Sequence, residues 1–158
     1  MVHLPDRGEN RRECNCVSQL IQKDRAKISG PLLDRIDIHF TMPAVENEKL
    51  AEARQGESSK NIRKRVVRAR QVQEQRFRNS SSRNNSGMNR KELETHAELA
   101  DSSRKILQLA MTKMGLSARA YDRILKVART IADLAGEQKI DTPHVAEAIQ
   151  YRNLDRPV

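Results

Sequence analysis

The chain has 158 residues, of which 37% are hydrophobic and only 3% aromatic, so it has little material for a large core. No apolar run approaches the roughly 20 residues needed to span a bilayer, which excludes a membrane-spanning helix and predicts a cytoplasmic protein without a membrane partner. The net charge of +9 favours an acidic partner such as nucleic acid, nucleotide phosphates or anionic lipid, although solubility alone is an equal explanation.

Residues 1–55 are mostly polar and predict little tertiary structure. Residues 17–27 favour a short helix that Gly30-Pro31 ends. Apolar and polar residues alternate over residues 36–42, which predicts a strand. No second strand is visible for it to pair with, so it is either disordered or belongs to a sheet whose other strands lie elsewhere. We therefore expect residues 1–55 to be poorly ordered and to lack stable tertiary contacts.

The remainder predicts a mainly α-helical bundle over residues 57–152. Apolar residues recur at helical spacing in five stretches, which are residues 57–77, 89–99, 101–114, 117–135 and 142–152. Cap residues flank them: Ser58 or Ser59, Ser117 and Thr142 as N-caps, and Gly115 and Gly136 as C-caps. Residues 79–88 are rich in Ser and Asn and predict a flexible loop with almost nothing to bury.

Four blocks of the sequence then carry a resemblance: "ISGPLLDRIDIH", "GESS…IRKRVVRARQVQ", "LSARAYDRILKVARTIADLAG" and "AIQYRNLDR". In this order they closely resemble the ComM-like proteins, AAA+ ATPases related to magnesium chelatase, and residues 79–100 match least. The resemblance implies a C-terminal portion of a longer enzyme, because these residues contain no GxxxxGK[ST] P-loop. It implies that residues 36–42 are the last strand of the ATPase core and that residues 57–152 are the helical lid over the nucleotide.

Arg35 stands between Asp34 and Asp37. From the residues alone, this is a surface ion pair worth under about 1 kcal/mol. The resemblance implies instead that Arg35 is the arginine finger, which reaches in trans to the γ-phosphate held by the neighbouring subunit, and that the two aspartates hold its side chain. A cation in that position neutralises charge on the transferring phosphoryl group and contributes about 10³- to 10⁵-fold in rate.

Arg119 falls in the first turn of the helix predicted over residues 117–135. Free amides and a guanidinium at a helix N-terminus can bind an anion, although an arginine there can also be an exposed helix former. The resemblance implies that Arg119 is the sensor-2 arginine, which contacts the ATP phosphates and couples the lid to the nucleotide state. Arg123 and Arg129 on the same helix are expected to be solvated or inter-subunit charges.

The helix predicted over residues 57–77 is strongly basic, and its basic run extends from Lys60 to Arg78. Such a run is either a solvated face or a contact surface for DNA phosphates, whose affinity falls steeply with salt. No row of aromatic residues is present, so base stacking on single strands is not expected. The candidate nucleic-acid contacts are Lys60, Arg63, Lys64, Arg68 and Arg70.

Cys14 and Cys16 form a Cys-x-Cys pair that resembles half of a metal knuckle. Structural zinc takes four ligands, commonly from Cys-x₂-Cys pairs, and a second pair is missing from this chain. The two cysteines are therefore weak zinc candidates, and no bound metal is expected.

As a whole, the resemblance implies a homo-oligomeric ring, expected to be a hexamer, that uses ATP and Mg²⁺ to remodel DNA in competence and recombination. This segment would depend on the upstream AAA+ core, would bind no cofactor alone and would not be catalytic by itself. Two alternatives remain. One is a stand-alone basic helical adaptor that binds nucleic acid, and the other is a motor part of the magnesium-chelatase branch.

Overall fold

The computed structural model describes residue 32, residues 35–40 and residues 56–152. The predictions of a short helix over residues 17–27, of strand residues 41 and 42, and of a half knuckle at Cys14 and Cys16 lie outside the described residues.

The described residues are mainly helical, which confirms the predicted fold class. Five α-helices follow one another, and a short 3₁₀ turn (Asn85–Gly87) lies between the first two. They are α1 (Ser59–Arg76), α2 (Arg90–His96), α3 (Asp101–Met114), α4 (Ala118–Ala135) and α5 (Thr142–Gln150).

The predicted caps fix most of these boundaries. Gly115 and Gly136 end α3 and α4 with φ of 62° and 82°, a left-handed conformation that residues with a Cβ rarely adopt. The hydroxyl of Ser117 accepts a hydrogen bond from the Ala120 amide at 3.1 Å and begins α4. The prediction for α5 is wrong by one residue, since Asp141 is its N-cap and Thr142 and Pro143 are its first two residues.

Helix α4 is the centre of the bundle. Its buried face, which includes Ile124, Leu125, Ala128 and Ala132, packs against α1, α2, α5 and the 3₁₀ turn, while α3 packs on α5. The small side chains of the two alanines let neighbouring helices approach closely. The predicted helical stripe of α4 is therefore confirmed as the main core surface.

Helix α1 packs on the bundle only through its C-terminal half. Ala69 and Gln73 are buried against α4, whereas Ile62, Val66 and Val72 are exposed. The helical spacing predicts one apolar stripe over Ile62, Val66, Ala69 and Val72, and this prediction is wrong for three of the four. Ile62 and Val66 lie in the N-terminal half of α1, which none of the described helices buries, whereas Val72 lies in the packed half on a side that stays 40% exposed.

A buried ion network joins α1, the 3₁₀ turn and α4. The Asp133 carboxylate, which is fully buried, accepts two hydrogen bonds from Arg76 at 2.7 and 2.6 Å. It also accepts from Asn85 Nδ2 at 2.7 Å and from Arg129 Nε at 3.1 Å. Burial raises the pKa of Asp133, but the hydrogen bonds from Arg76 and Asn85 and the charges of both arginines outweigh burial and lower that pKa.

The loop over residues 79–88 buries more than its composition predicts. Ser82, Asn85 and Met88 are all buried, so the expectation of almost nothing to bury is wrong. The polar members of the loop can be buried because residues of the neighbouring helices satisfy them: Ser82 Oγ lies 2.7 Å from a Glu92 carboxylate oxygen on α2, and Asn85 joins the Asp133 network on α4. Whether the loop is flexible stays a prediction.

No strand forms over residues 36–40, the described part of the predicted strand over residues 36–42. A strand requires a continuous ladder of hydrogen bonds with a neighbouring strand, and periodicity in one segment cannot supply the neighbour. The segment instead contacts the end of α5, where the His39 amide donates to the Tyr151 carbonyl oxygen at 2.6 Å.

The packing of α4 predicts the effect of truncating its core leucine. Leu125 is 6% exposed, and we expect Leu125→Ala to lower the free energy of unfolding by about 2–5 kcal/mol, since it removes buried apolar contacts and leaves a cavity. Urea unfolding followed by circular dichroism measures the change. Leu134→Ala on the same helix is the control, because Leu134 is 37% exposed and its truncation costs far less. Equal losses in the two variants would contradict the described packing.

The Asp133 network predicts a second effect. We expect Asp133→Asn to lower the free energy of unfolding by about 3–5 kcal/mol at pH 7, because Arg129 remains buried without its counter-charge. Urea unfolding is again the measurement. The control is Asp101→Asn, since the Asp101 carboxylate is exposed and its pair with Arg104 contributes little.

The lowered pKa of Asp133 fixes how this effect depends on pH. A carboxylate with a folded-state pKa below its unfolded value, about 3.9, stabilises the fold above that value. The stabilisation is lost as pH falls through the folded-state pKa. The difference between wild type and Asp133→Asn should therefore shrink as the pH falls below the unfolded-state value, and a difference that stays constant would contradict the assignment.

Candidate functional site

Arg119 is exposed in the first turn of α4, as predicted. It is the second residue of the helix, directly after the Ser117 cap and Ala118. The first amides of a helix have no intrahelical acceptor, and the positive end of the macrodipole disfavours a cation by about 0.3–1 kcal/mol. An arginine at this position is therefore suited to an anion that interacts with the amides and the guanidinium together.

Arg35 is also exposed, but it lies outside any helix of the bundle. Its backbone amide donates to the Leu32 carbonyl oxygen at 3.0 Å, which forms a turn at the start of residues 35–40. Its side chain therefore projects from an irregular segment and not from the edge of a strand.

Asp37 contacts the N-terminal half of α4. Its carboxylate pairs with the Arg123 guanidinium, so in the structure this aspartate binds an arginine of the bundle, whereas it was predicted to hold Arg35. Asp34, the other predicted partner, lies outside the described residues. Arg35 and Asp37 are exposed while His39 is buried, so the three do not share one face as a strand would require.

One contact relates the segment of Arg35 to the helix of Arg119. Arg119 and Arg123 are one helical turn apart on the same face of α4, about 6 Å along its axis. Asp37 binds Arg123 and stands two residues from Arg35, which spans at most about 7 Å of chain. Arg35 is therefore two residues away from a side-chain contact with the N-terminal half of the helix that carries Arg119.

The other arginines of α4 are not simply solvated. Arg129 is buried, pairs with Asp133 and donates to the carbonyl oxygens of Gln138 and Glu137 at 2.8 and 2.6 Å. Burial lowers the pKa of Arg129, and the Asp133 charge opposes this shift. The expectation of solvated or inter-subunit charges is wrong for Arg129, which is buried near the C-terminal end of α4, whereas Arg123 pairs with Asp37 and its expected inter-subunit role stays a prediction.

The five candidate nucleic-acid residues of α1 are all exposed and divide between two faces. One shallow surface groove runs along the outer face, where no helix of the described residues covers it. Arg70 lies apart from this group, next to Val66 and Leu134 on the flank that meets α4. The groove, called the basic face below, is lined by Lys60, Arg63, Lys64, Val67, Arg68 and Gln71.

Two features of the site have no counterpart in the sequence predictions. Arg152, directly after Tyr151 at the end of α5, is 1% exposed and donates to the Ile36 carbonyl oxygen. No signal in the sequence marks it, because an arginine is exposed in most proteins unless it is paired. The second is the Arg129–Asp133 pair, whose i,i+4 spacing within the apolar stripe of α4 marks it as internal.

Within the described residues, no group of three His, Cys, Asp or Glu side chains could hold a metal ion. Cys14 and Cys16, the weak zinc candidates, lie outside that part of the chain. Among the helices that the structure describes, none has the length and hydropathy to cross a membrane.

Family models match two segments of the chain. The model described as magnesium chelatase, subunit ChlI C-terminal, matches residues 56–152, which include the whole helical bundle. The model described as magnesium chelatase, subunit ChlI, matches residues 5–50.

Curated relatives match most of the chain. The competence protein ComM of Haemophilus influenzae is 42% identical over 139 residues, which cover 87% of this chain and 26% of that protein. The uncharacterized proteins YifB of Salmonella typhimurium and Escherichia coli are 36% and 35% identical over 142 residues, or 89% of this chain and 27% of each relative. The chain thus spans about a quarter of the length of the curated relatives it matches.

Proposed function

The chain belongs to the magnesium chelatase subunit ChlI C-terminal family, and from this membership we propose that it is the lid region of a ComM-like AAA+ ATPase. In this role it supplies two arginines to ATP hydrolysis. Arg119 contacts the phosphates of the nucleotide bound by its own subunit, and Arg35 reaches the nucleotide of the neighbouring subunit. The upstream core supplies the P-loop, so the segment alone is inactive.

The observation that carries the proposal is the placement of Arg119. A cation in the first turn of a capped 18-residue helix is disfavoured by the macrodipole, unless an anion binds there. Arg119 is exposed, so a polyphosphate held by another segment can reach both its guanidinium and the first amides of α4. This arrangement suits a sensor that draws α4 towards a bound nucleotide.

Arg35 supports the same proposal from the opposite side. An exposed guanidinium on an irregular segment can extend across a subunit boundary, where it neutralises the charge that develops on the transferring phosphoryl group. ATP with Mg²⁺ is the substrate complex in this proposal. The proposal places the ligands of this metal in the upstream core.

The work done by the motor is proposed to be DNA remodelling, in the form of branch migration by a homo-oligomeric ring, expected to be a hexamer. The basic face of α1 supports a nucleic-acid partner, since it presents four exposed cations at helical spacing. The same face favours a second candidate function, a basic helical adaptor that binds nucleic acid without nucleotide chemistry. A third candidate function is a role in metal insertion, which the name of the matched magnesium chelatase family supports.

A chimeric enzyme, called the joined motor below, tests the roles of the two arginines. In it, this chain replaces the corresponding quarter of the competence protein ComM of Haemophilus influenzae, and the proposal assigns the core to the remaining part of that protein. We expect Arg35→Ala and Arg119→Ala each to lower kcat for ATP at least 10³-fold or to abolish turnover, because transition-state charge is left unpaired. Arg83→Ala, at an exposed arginine of the loop, is the control and should leave kcat unchanged.

Mixing subunits separates action in trans from action in cis. Subunits with Arg35→Ala, mixed with subunits that lack the P-loop lysine, should regain part of the ATPase rate, since an intact nucleotide site then meets an intact finger. Subunits with Arg119→Ala should not regain activity in the same mixture. Full activity of either single variant would overturn the proposal, and rescue of both would reassign Arg119 to the neighbouring site.

DNA binding by the basic face is tested through its salt dependence. We expect Lys64→Ala to weaken duplex binding and to lower the slope of log K against log salt by about 1, because each neutralised phosphate releases about one counterion. Fluorescence anisotropy at several salt concentrations measures the slope. Lys91→Ala, an exposed lysine on α2, is the matched control. Nanomolar binding by the isolated chain with a steep slope would favour the adaptor over the motor part.

A further inference from the structure

The backbone on both sides of Arg35 is hydrogen-bonded. On one side the Arg35 amide donates to the Leu32 carbonyl oxygen at 3.0 Å. On the other side the carbonyl oxygen of the next residue, Ile36, accepts from the guanidinium of Arg152. Arg152 is 1% exposed, and its own amide donates to Ile149 at 3.0 Å. The position of Arg35 is therefore set by a side chain that is packed into the bundle at the end of α5.

A second contact connects the same segment to α4. The Asp37 carboxylate pairs with Arg123, which lies one turn after Arg119 on the same face of the helix. The side chains are 48% and 23% exposed, so the pair lies at the surface but is partly shielded from water. The His39 amide adds a third link, to the Tyr151 carbonyl oxygen. Residues 36–39 thus bind both helices that form the largest interface of the bundle.

From these contacts we propose that Arg123 and Arg152 are positioning residues that fix Arg35 to the helix carrying Arg119. Movement of α4 in response to its own nucleotide then moves Arg35 relative to the nucleotide of the neighbouring subunit. The contacts link a sensing arginine and an acting arginine that belong to two different nucleotide sites. The proposal rests on the proposed function for the roles of Arg35 and Arg119, whereas the contacts can be measured independently of it.

The chemistry of the two positioning arginines differs. Arg152 donates to the backbone carbonyl oxygen of Ile36, so this contact depends on the backbone position at Ile36 and not on the Ile36 side chain. Arg123 recognises the charge of Asp37, so this contact can be reversed by exchanging the two charges. Because Arg152→Ala removes a fully buried side chain and can unfold the chain, the Arg123–Asp37 pair provides the decisive variants.

Hydrogen exchange of the 158-residue chain tests the contacts first. We expect Arg123→Asp and Asp37→Arg each to raise the exchange rate of the His39 amide about fivefold, as for loss of a partly exposed ion pair, and the double exchange to restore it. The control is Arg104→Asp, which breaks an exposed pair with Asp101 on α3 and should leave the His39 amide unchanged. Unchanged exchange in both single variants, or no restoration in the double variant, overturns the proposal.

Kinetics of the joined motor test the positioning role. We expect each single variant to lower kcat about fivefold with KM for ATP unchanged, and the double exchange to recover kcat. Each single variant, mixed with subunits that lack the P-loop lysine, should regain part of the ATPase rate, as Arg35→Ala does. A general loss of stability would not produce this recovery. If Arg35→Ala lowers kcat but the Arg123 and Asp37 variants leave kcat unchanged, the contacts are only structural and the proposal is overturned.

The two proposals fail in different ways. If Arg35→Ala itself leaves kcat unchanged, the proposed function fails together with the positioning of a finger, even though the exchange measurement can still confirm the contacts. If Arg35→Ala abolishes turnover while the charge exchange has no effect on the His39 amide, the proposed function stands and the linkage through Arg123 is wrong.

Discussion

The Asp133 carboxylate is buried, and a buried charge must be neutralised for the chain to fold. The groups that neutralise it come from α1, from the 3₁₀ turn and from α4, so the requirement determines how these parts assemble. Apolar packing alone would let α1 slide along α4, because a hydrophobic contact has no direction. The hydrogen bonds from Arg76 to both carboxylate oxygens permit one position of α1 along α4.

This fixed position has consequences for the surface. Because α1 is held near its C-terminus, its first turns extend beyond the bundle and expose the basic face on one side and Ile62 and Val66 on the other. The charges of the molecule therefore serve two separate purposes. Those around Asp133 determine the internal arrangement, while those on the basic face and at Arg35 and Arg119 lie at the surface, where the proposed function places the phosphates of a partner.

The local features of the fold could be predicted from the sequence. The two glycine C-caps, the Ser117 cap and the stripe of α4 depend on neighbouring residues, and the structure has each of them at the expected position. The features that were missed depend on distant residues. Asn85 is buried because Asp133 lies beside it in space, and Asp37 binds an arginine 86 positions away. The prediction of a strand over residues 36–42 is wrong for residues 36–40 for the same reason, because a strand forms only when a neighbouring strand supplies its hydrogen bonds.

The candidate site shows the same division. Exposure of Arg119 in a first helical turn follows from the cap and the pattern around it, whereas its proposed role came from the family resemblance. The five basic residues of α1 that were predicted to contact nucleic acid are exposed, although Arg70 lies on a different flank from the rest. Arg152 was missed because a sequence cannot show that an arginine is enclosed.

Attachment of α1 near one end also makes this helix a lever. The buried contact nearest its N-terminus, Ala69, and its first basic residue, Lys60, are separated by about 14 Å, since each residue of an α-helix rises about 1.5 Å. A tilt of about 10° at this contact would therefore displace the Lys60 end by about 2 Å, more than the rise of one residue. A small change in how α1 packs on α4 thus becomes a larger movement of the basic residues at its tip.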